Sequence, residues 1–150
     1  AFGAGSSDLI NSTEGVLYAE INIPQGITSN ANISISNGTS SECVKFIYLT
    51  SNKFSAEMRG SGNTANIDDA SFVLGSYSKV AVSYKSGEFK LYINGSQVGG
   101  TLIGSTLPTG LDTLSFDRGD NAAKFLGKTK ALAVFKEALT DAELTCLTTI

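Results

Sequence analysis

The stretch Lys79-Val80-Ala81-Val82-Ser83-Tyr84-Lys85-Ser86-Gly87-Glu88-Phe89-Lys90-Leu91-Tyr92-Ile93-Asn94-Gly95 constrains the fold more than any other part of the chain. It reads as two alternating strands joined at Ser86-Gly87 and closed by a second turn at Asn94-Gly95. With Ser86 and Gly87 as the two loop residues, Lys85 lies opposite Glu88, Tyr84 opposite Phe89, Val82 opposite Leu91 and Val80 opposite Ile93. Antiparallel partners step away from a turn together, so this pairing puts the large apolar residues on one face. Lys79, Ala81, Ser83, Lys90, Tyr92 and Asn94 share the other. A slip of one residue would bury lysines and expose valines, so the register is well specified. Asn94 and Gly95 tolerate the positive φ angles of a type I′ turn, which returns Gln97 and Val98 beside Tyr92 and Leu91 as a third strand.

The same alternation recurs along the chain. Leu17, Ala19, Ile21 and Ile23 alternate with Tyr18, Glu20 and Asn22 in a half-buried strand. Ile33 and Ile35 mark another over 32–36, turned at Asn37-Gly38. The run 43–49 is apolar enough for a central strand covered on both sides. Phe54, Ala56 and Met58 then alternate with Ser55, Glu57 and Arg59. Gly60 to Asn63 reads as a loop, 65–74 is weakly patterned, 111–116 is a strand, and 117–121 is a polar tip. Phe125 and Leu126 are expected to open a last strand that runs to Phe135. Thr140-Asp141-Ala142-Glu143 is a capping box with Leu139 and Leu144 at the staple positions, so a helix of about two turns follows. Short strands at regular spacing plus one short C-terminal helix mean an all-β, two-sheet antiparallel sandwich or jelly roll. Residues 12–150 form this domain, and 1–11 read as a linker or fragment start; the missing initiator Met fits a processed or excised piece.

The chemistry of the chain removes several function classes. A net charge of −3 argues against nucleic acid or anionic membrane as a partner, since both need clustered Lys and Arg. No apolar run approaches the roughly 20 residues that span a bilayer. With no His, a Ser-His-Asp device and a His-ligated metal site are impossible. Glu14 and Glu20, the nearest pair for a glycosidase, lie six residues apart on one strand, roughly 20 Å in an extended chain against the ~5 to 9.5 Å that such enzymes need. The chain is therefore read as non-enzymatic and without a cofactor. Ca²⁺ is the one ion with candidate oxygen ligands, in Asp68-Asp69 and in Asp117, Asp120 and Asn121. Cys43 and Cys146 are read as two buried free thiols, with a single bridge between them as the open alternative.

The stretches Glu14 to Glu20, Lys79 to Tyr84 with Phe89 to Gly95, and Leu139 to Leu144 occur in an order that resembles the laminin-G-like branch of the concanavalin A-like jelly roll. The ending from Leu139 through Thr149 is similar to laminin-G-like domains of bacteriophage tail-fibre and other virion proteins. The resemblance implies an exposed virion module, in a tail fibre or receptor-binding protein, that touches cell-surface carbohydrate. Two alternatives stay open: an architectural virion module, such as a capsid decoration or fibre cap, whose partners are other protein copies, including a homo-oligomer, or a carbohydrate-binding or adhesin domain of a bacterial surface or secreted protein.

A glycan site needs an aromatic ring under the apolar face of a sugar and polar groups at its edges. With no Trp, Tyr77 and Tyr92 are the ring candidates, and Arg59, Asn63, Asp117, Arg118, Asp120 and Asn121 are the edge candidates. Arg118-Gly119-Asp120 also spells an integrin-type tripeptide, read here as chance, and the sequons at Asn11, Asn32, Asn37 and Asn94 read as turn residues.

Overall fold

The computed structural model describes residues 8–150. Ten strands precede one helix: β1 (Glu14–Asn22), β2 (Ala31–Ser36), β3 (Cys43–Leu49), β4 (Lys53–Gly60), β5 (Asn63–Asp69), β6 (Tyr77–Lys85), β7 (Glu88–Ile93), β8 (Ser96–Leu102), β9 (Thr113–Ser115), β10 (Lys128–Phe135) and α1 (Asp141–Thr148). They build two five-stranded antiparallel sheets, β10-β1-β6-β7-β8 and β5-β4-β3-β2-β9. The hairpin of β6 and β7 has the register read from sequence, from Lys85↔Glu88 to Val80↔Ile93, and β8 returns Val98 beside Leu91. Its turns take the left-handed backbone that type I′ requires, with φ of 50° and 80° at Ser86 and Gly87 and of 48° and 84° at Asn94 and Gly95.

The inner faces of the sheets meet in one core that includes Leu17, Ile21, Ile33, Phe46, Phe54, Met58, Val82, Tyr84, Phe89 and Leu91. Strand periodicity explains the membership, since each contributes alternate residues to the interior. The packed chain reaches back to Ile10, which is buried, and the Tyr84 hydroxyl donates to Asn11 O at 2.6 Å. The expected linker thus gives way to packed structure by Ile10, while residues 1–7 lie outside the described residues. Among the described residues, no helix is long and apolar enough to cross a membrane.

The helix changes the first sheet most. Its capping box forms in both directions, with Glu143 N–H donating to Thr140 Oγ1 and Thr140 N–H donating to Glu143 Oε2. It lays Leu144 on Val16, Tyr18, Ala81 and Tyr92 in a second apolar cluster on the sheet's outer face. β1 is therefore covered on both faces rather than half-buried. Tyr92, expected on an open face, is 3% exposed. Burial, together with the Asp141 carboxylate, pushes its phenol up to about 12.

Other departures lie where alternation is weak. Asn63 begins β5 instead of ending a loop. The strand expected over 111–116 shrinks to Thr113–Ser115, and Phe125 and Leu126 precede β10 rather than open it. The intervening segment folds back on itself through Phe125 N–H to Phe116 O and Arg118 N–H to Ala122 O. Asp117, assigned to a polar tip, is only 7% exposed. Asn32, grouped with the turn sequons but also the first residue of the strand expected over 32–36, lies buried in β2 as that strand requires. Cys43 is buried as expected, whereas Cys146 is exposed on α1; both thiols are free.

Candidate functional site

The outer face of the second sheet is polar and concentrates charge. Pairing across β2, β3, β4 and β5 aligns Asn32, Ile47, Ser55 and Asp68 in one row. Ser34, Lys45, Glu57 and Asn66 form the next, and Ser36, Cys43, Arg59 and Thr64 a third. All point away from the core, because the alternate residues of the same strands fill it.

At the centre, Lys45 is 1% exposed, with Nζ 3.0 Å from Glu57 Oε2. The same oxygen is 3.1 Å from Arg59 Nη2. These contacts are ionic rather than well-aligned hydrogen bonds, and one carboxylate serves two cations. Arg59 keeps about a third of its side chain in solvent. Its Nε is buried with no acceptor among the described residues, and Asn32 Oδ1 is likewise buried without a donor. Such groups are costly unless water or a ligand satisfies them.

Two walls flank this floor. On the β5 side the Asp68 carboxylate accepts from Lys53, Ser55 and Asn66, which pull it down to about 2. On the β2 side, the segment 117–124 lies across the strand, held by Asn32 Nδ2 to Ala123 O at 3.0 Å and Ser36 Oγ to Gly119 O at 3.4 Å. Gly119 has φ of 102°, and a Cβ there would come within 2.8 Å of Thr39 O, so only glycine fits. Burial raises the Asp117 carboxyl, but Gly119 N–H, Ser115 and Lys124 outweigh it and hold the group below its ordinary value. Arg118 and Asp120 grip each other through Nε and Nη2, the latter at 2.6 Å, so the tripeptide is closed on itself.

A laminin-G family model, described as the concanavalin A-like lectin/glucanases superfamily, matches residues 13–145. The chain belongs to this superfamily. No curated protein sequence matches it. Among solved structures, the concanavalin A-like chain is similar to the CBM40 of Ruminococcus gnavus IT-sialidase bound to α2,3-sialyllactose. The two share 20% identity over 96% of this chain and 87% of that one, with a TM-score of 0.75. It is similar too to a leech intramolecular trans-sialidase, at 20% identity, 98% coverage and a TM-score of 0.76. A third is the NanB sialidase of Streptococcus pneumoniae, at 16% identity, 95% coverage and a TM-score of 0.75. It spans a quarter of each of the last two. At these identities the likeness is one of fold.

In this concanavalin A-like sandwich the residues singled out from sequence divide. Arg59 and the segment holding Asp117, Arg118, Asp120 and Asn121 come to the outer face of the second sheet. Tyr77 and Tyr92 belong to the first sheet, and Tyr92 is sealed beneath α1. Asn63 sits on the edge strand, donating to Thr106 Oγ1 at 3.2 Å. Glu14 and Glu20 remain at separate positions on β1, held by Lys85 and Lys130. The carboxylates proposed for Ca²⁺ are engaged by the chain's own donors, and no metal-holding group of three or more Asp, Glu, Cys or His occurs among the described residues. Sequence reading missed Lys45, Glu57 and Asn32. Lys45 did carry a signal, as the one charge in an otherwise apolar run.

Proposed function

We propose that the chain is a non-catalytic carbohydrate-binding module that takes an acidic sugar on the outer face of its second sheet. The observation that carries this reading is the centre of that face, where Lys45 and Arg59 share the single carboxylate of Glu57 and leave one positive charge uncompensated. Arg59 lies at the solvent side of the group, with Nη2 on Glu57 and Nη1 donating to Ser40 O at 3.5 Å, and its part-exposed guanidinium is the cation that a sugar carboxylate would meet. Asn66 and the wall at 117–124 supply polar edges for sugar hydroxyls. The similar structures support an acidic sugar, since one of them is bound to sialyllactose. They favour the carbohydrate-binding alternative over a fibre, decoration or other virion component, because they come from sialidases.

The test is calorimetric titration with 3′-sialyllactose and with lactose. Saturable binding of the acidic trisaccharide alone, weakened about tenfold or more in Arg59→Ala, is expected. Equal behaviour of the two sugars, or an unaffected Arg59→Ala, overturns the reading.

A further inference from the structure

The first sheet carries its own polar shelf, at the end that α1 leaves open. Register puts Lys128, Asn22 and Tyr77 side by side across β10, β1 and β6 on the outer face, with Glu20 and Lys79 in the adjoining row. A bulge between Glu20 and Ile21 swings Lys130 into the same patch. Its Nζ lies 3.0 Å from Glu20 Oε1 and 5.5 Å from the centre of the Tyr77 ring. Lys130 thus meets the Glu20 carboxylate and Lys128 lies in the neighbouring row, while the Lys79 ammonium turns away to donate to Thr149 O at 2.9 Å. Tyr77 is 39% exposed, far more than Tyr18, Tyr48, Tyr84 or Tyr92, which are all buried. Beside it opens a cleft of about 600 Å³, lined by Asn22, Pro24, Gln25, Gly75, Leu126 and Lys128. That volume lies in the range of small-ligand sites.

An exposed ring, an apolar side chain in Leu126, amide edges in Asn22 and Gln25, and cations at the ring's margin suit one ligand chemistry. We propose that this shelf is a second saccharide site, specific for a sugar ring bearing a carboxylate or sulfate. The ring's apolar face lies against Tyr77, and its anionic group meets Lys128 and Lys130. Nucleic acid offers the same combination of flat ring and negative charge, but two lysines on an acidic protein give little of the phosphate attraction that such binding needs. The shelf stands apart from the Arg59 face: it is on the other sheet, about 10 Å away through the core plus the side chains on either side. The two faces look in opposite directions, so one module can bridge two glycan chains.

The experiment is affinity electrophoresis of the whole chain through gels containing polygalacturonate, dextran sulfate or neutral dextran, with a single-stranded oligothymidylate as competitor. Retardation by one or both charged polymers and none by neutral dextran is expected. It should weaken at least about fivefold in Tyr77→Ala and in the Lys128→Gln, Lys130→Gln double variant. Tyr77→Phe, which keeps the ring, should keep retardation by these polymers. Should Tyr77→Ala fail to fold, the double lysine variant decides alone. Unchanged retardation in the folded variants overturns the proposal, as do equal retardation by neutral dextran and displacement by the oligonucleotide at lower charge concentration. Loss in Arg59→Ala with Tyr77→Ala unaffected would sink this second site while leaving the first intact.

Discussion

Replacing Glu57 by Gln tests the central feature of the second sheet. Lys45 is 1% exposed and its ammonium lies 3.0 Å from Glu57 Oε2. At an effective dielectric constant near 20, unit charges at that separation attract by about 5.5 kcal/mol. Gln keeps an oxygen that can accept from Nζ, so what disappears is the charge, while the desolvation of Lys45 remains. Arg59, 3.1 Å from the same carboxylate oxygen, then repels the lysine without compensation. A cost of about 3 to 5 kcal/mol is expected. In a chain of 150 residues this lowers Tm by roughly 6 to 20 °C. Adding Lys45→Met removes the stranded cation and should restore stability to within about 1 kcal/mol of the parent. Urea denaturation at pH 7, followed by circular dichroism on the parent, both single variants and the double, measures each value. A loss below about 1 kcal/mol in Glu57→Gln, the size of a surface pair, would refute the reasoning. So would failure of Lys45→Met to rescue it.

Three further outcomes follow from the same structure. Asp68 titrates in the folded chain at about 2, below its ordinary value, held there by Lys53, then Ser55 and Asn66. Its contribution to stability is therefore present above about pH 4 and lost as pH falls toward about 2; Asp68→Asn should lower Tm at pH 5 and flatten its decline across that window. Thr140→Ala removes the N-cap acceptor of α1 and should cost about 1 kcal/mol, with a larger loss of protection in α1 amides than in β3 amides by hydrogen exchange. A thiol reagent should modify Cys146 at once and Cys43 only in denaturant; two rapid equivalents would contradict the buried position of Cys43.

The fold was legible wherever alternation was strong and a turn fixed its phase. Val80, Val82, Leu91 and Ile93 share a face only in one register, and Ser86-Gly87 supplied that register. The capping box at Thr140 was equally local, requiring four residues and no knowledge of the rest. The fate of Tyr92 was not local. Its burial depends on a helix some fifty residues later docking on the outer face of β7, and nothing in the strand's own pattern announces that cover. The segment 117–124 misled in a similar way: a run of Asp, Arg, Gly and Asn looks like a solvent tip, but hydrogen bonds to Asn32 and Ser36 lay it against β2. The candidate sites were half visible for the same reason. Arg59 and Tyr77 were found as residue types, whereas the ion-pair group and the neighbours of Tyr77 arise from pairing between strands distant in sequence.

β3 is apolar on both faces, with Val44, Phe46 and Tyr48 inward and Cys43 and Ile47 outward. Hydrophobicity by itself therefore hardly distinguishes its native pairing from one displaced by a single residue, which would turn every side chain to the opposite face. Lys45 breaks that degeneracy, since the displaced pairing would drive an ammonium into the sandwich interior with no carboxylate opposite. The lysine thus makes the slipped sheet a high-energy competitor, so the strand at the middle of the second sheet has one place to settle.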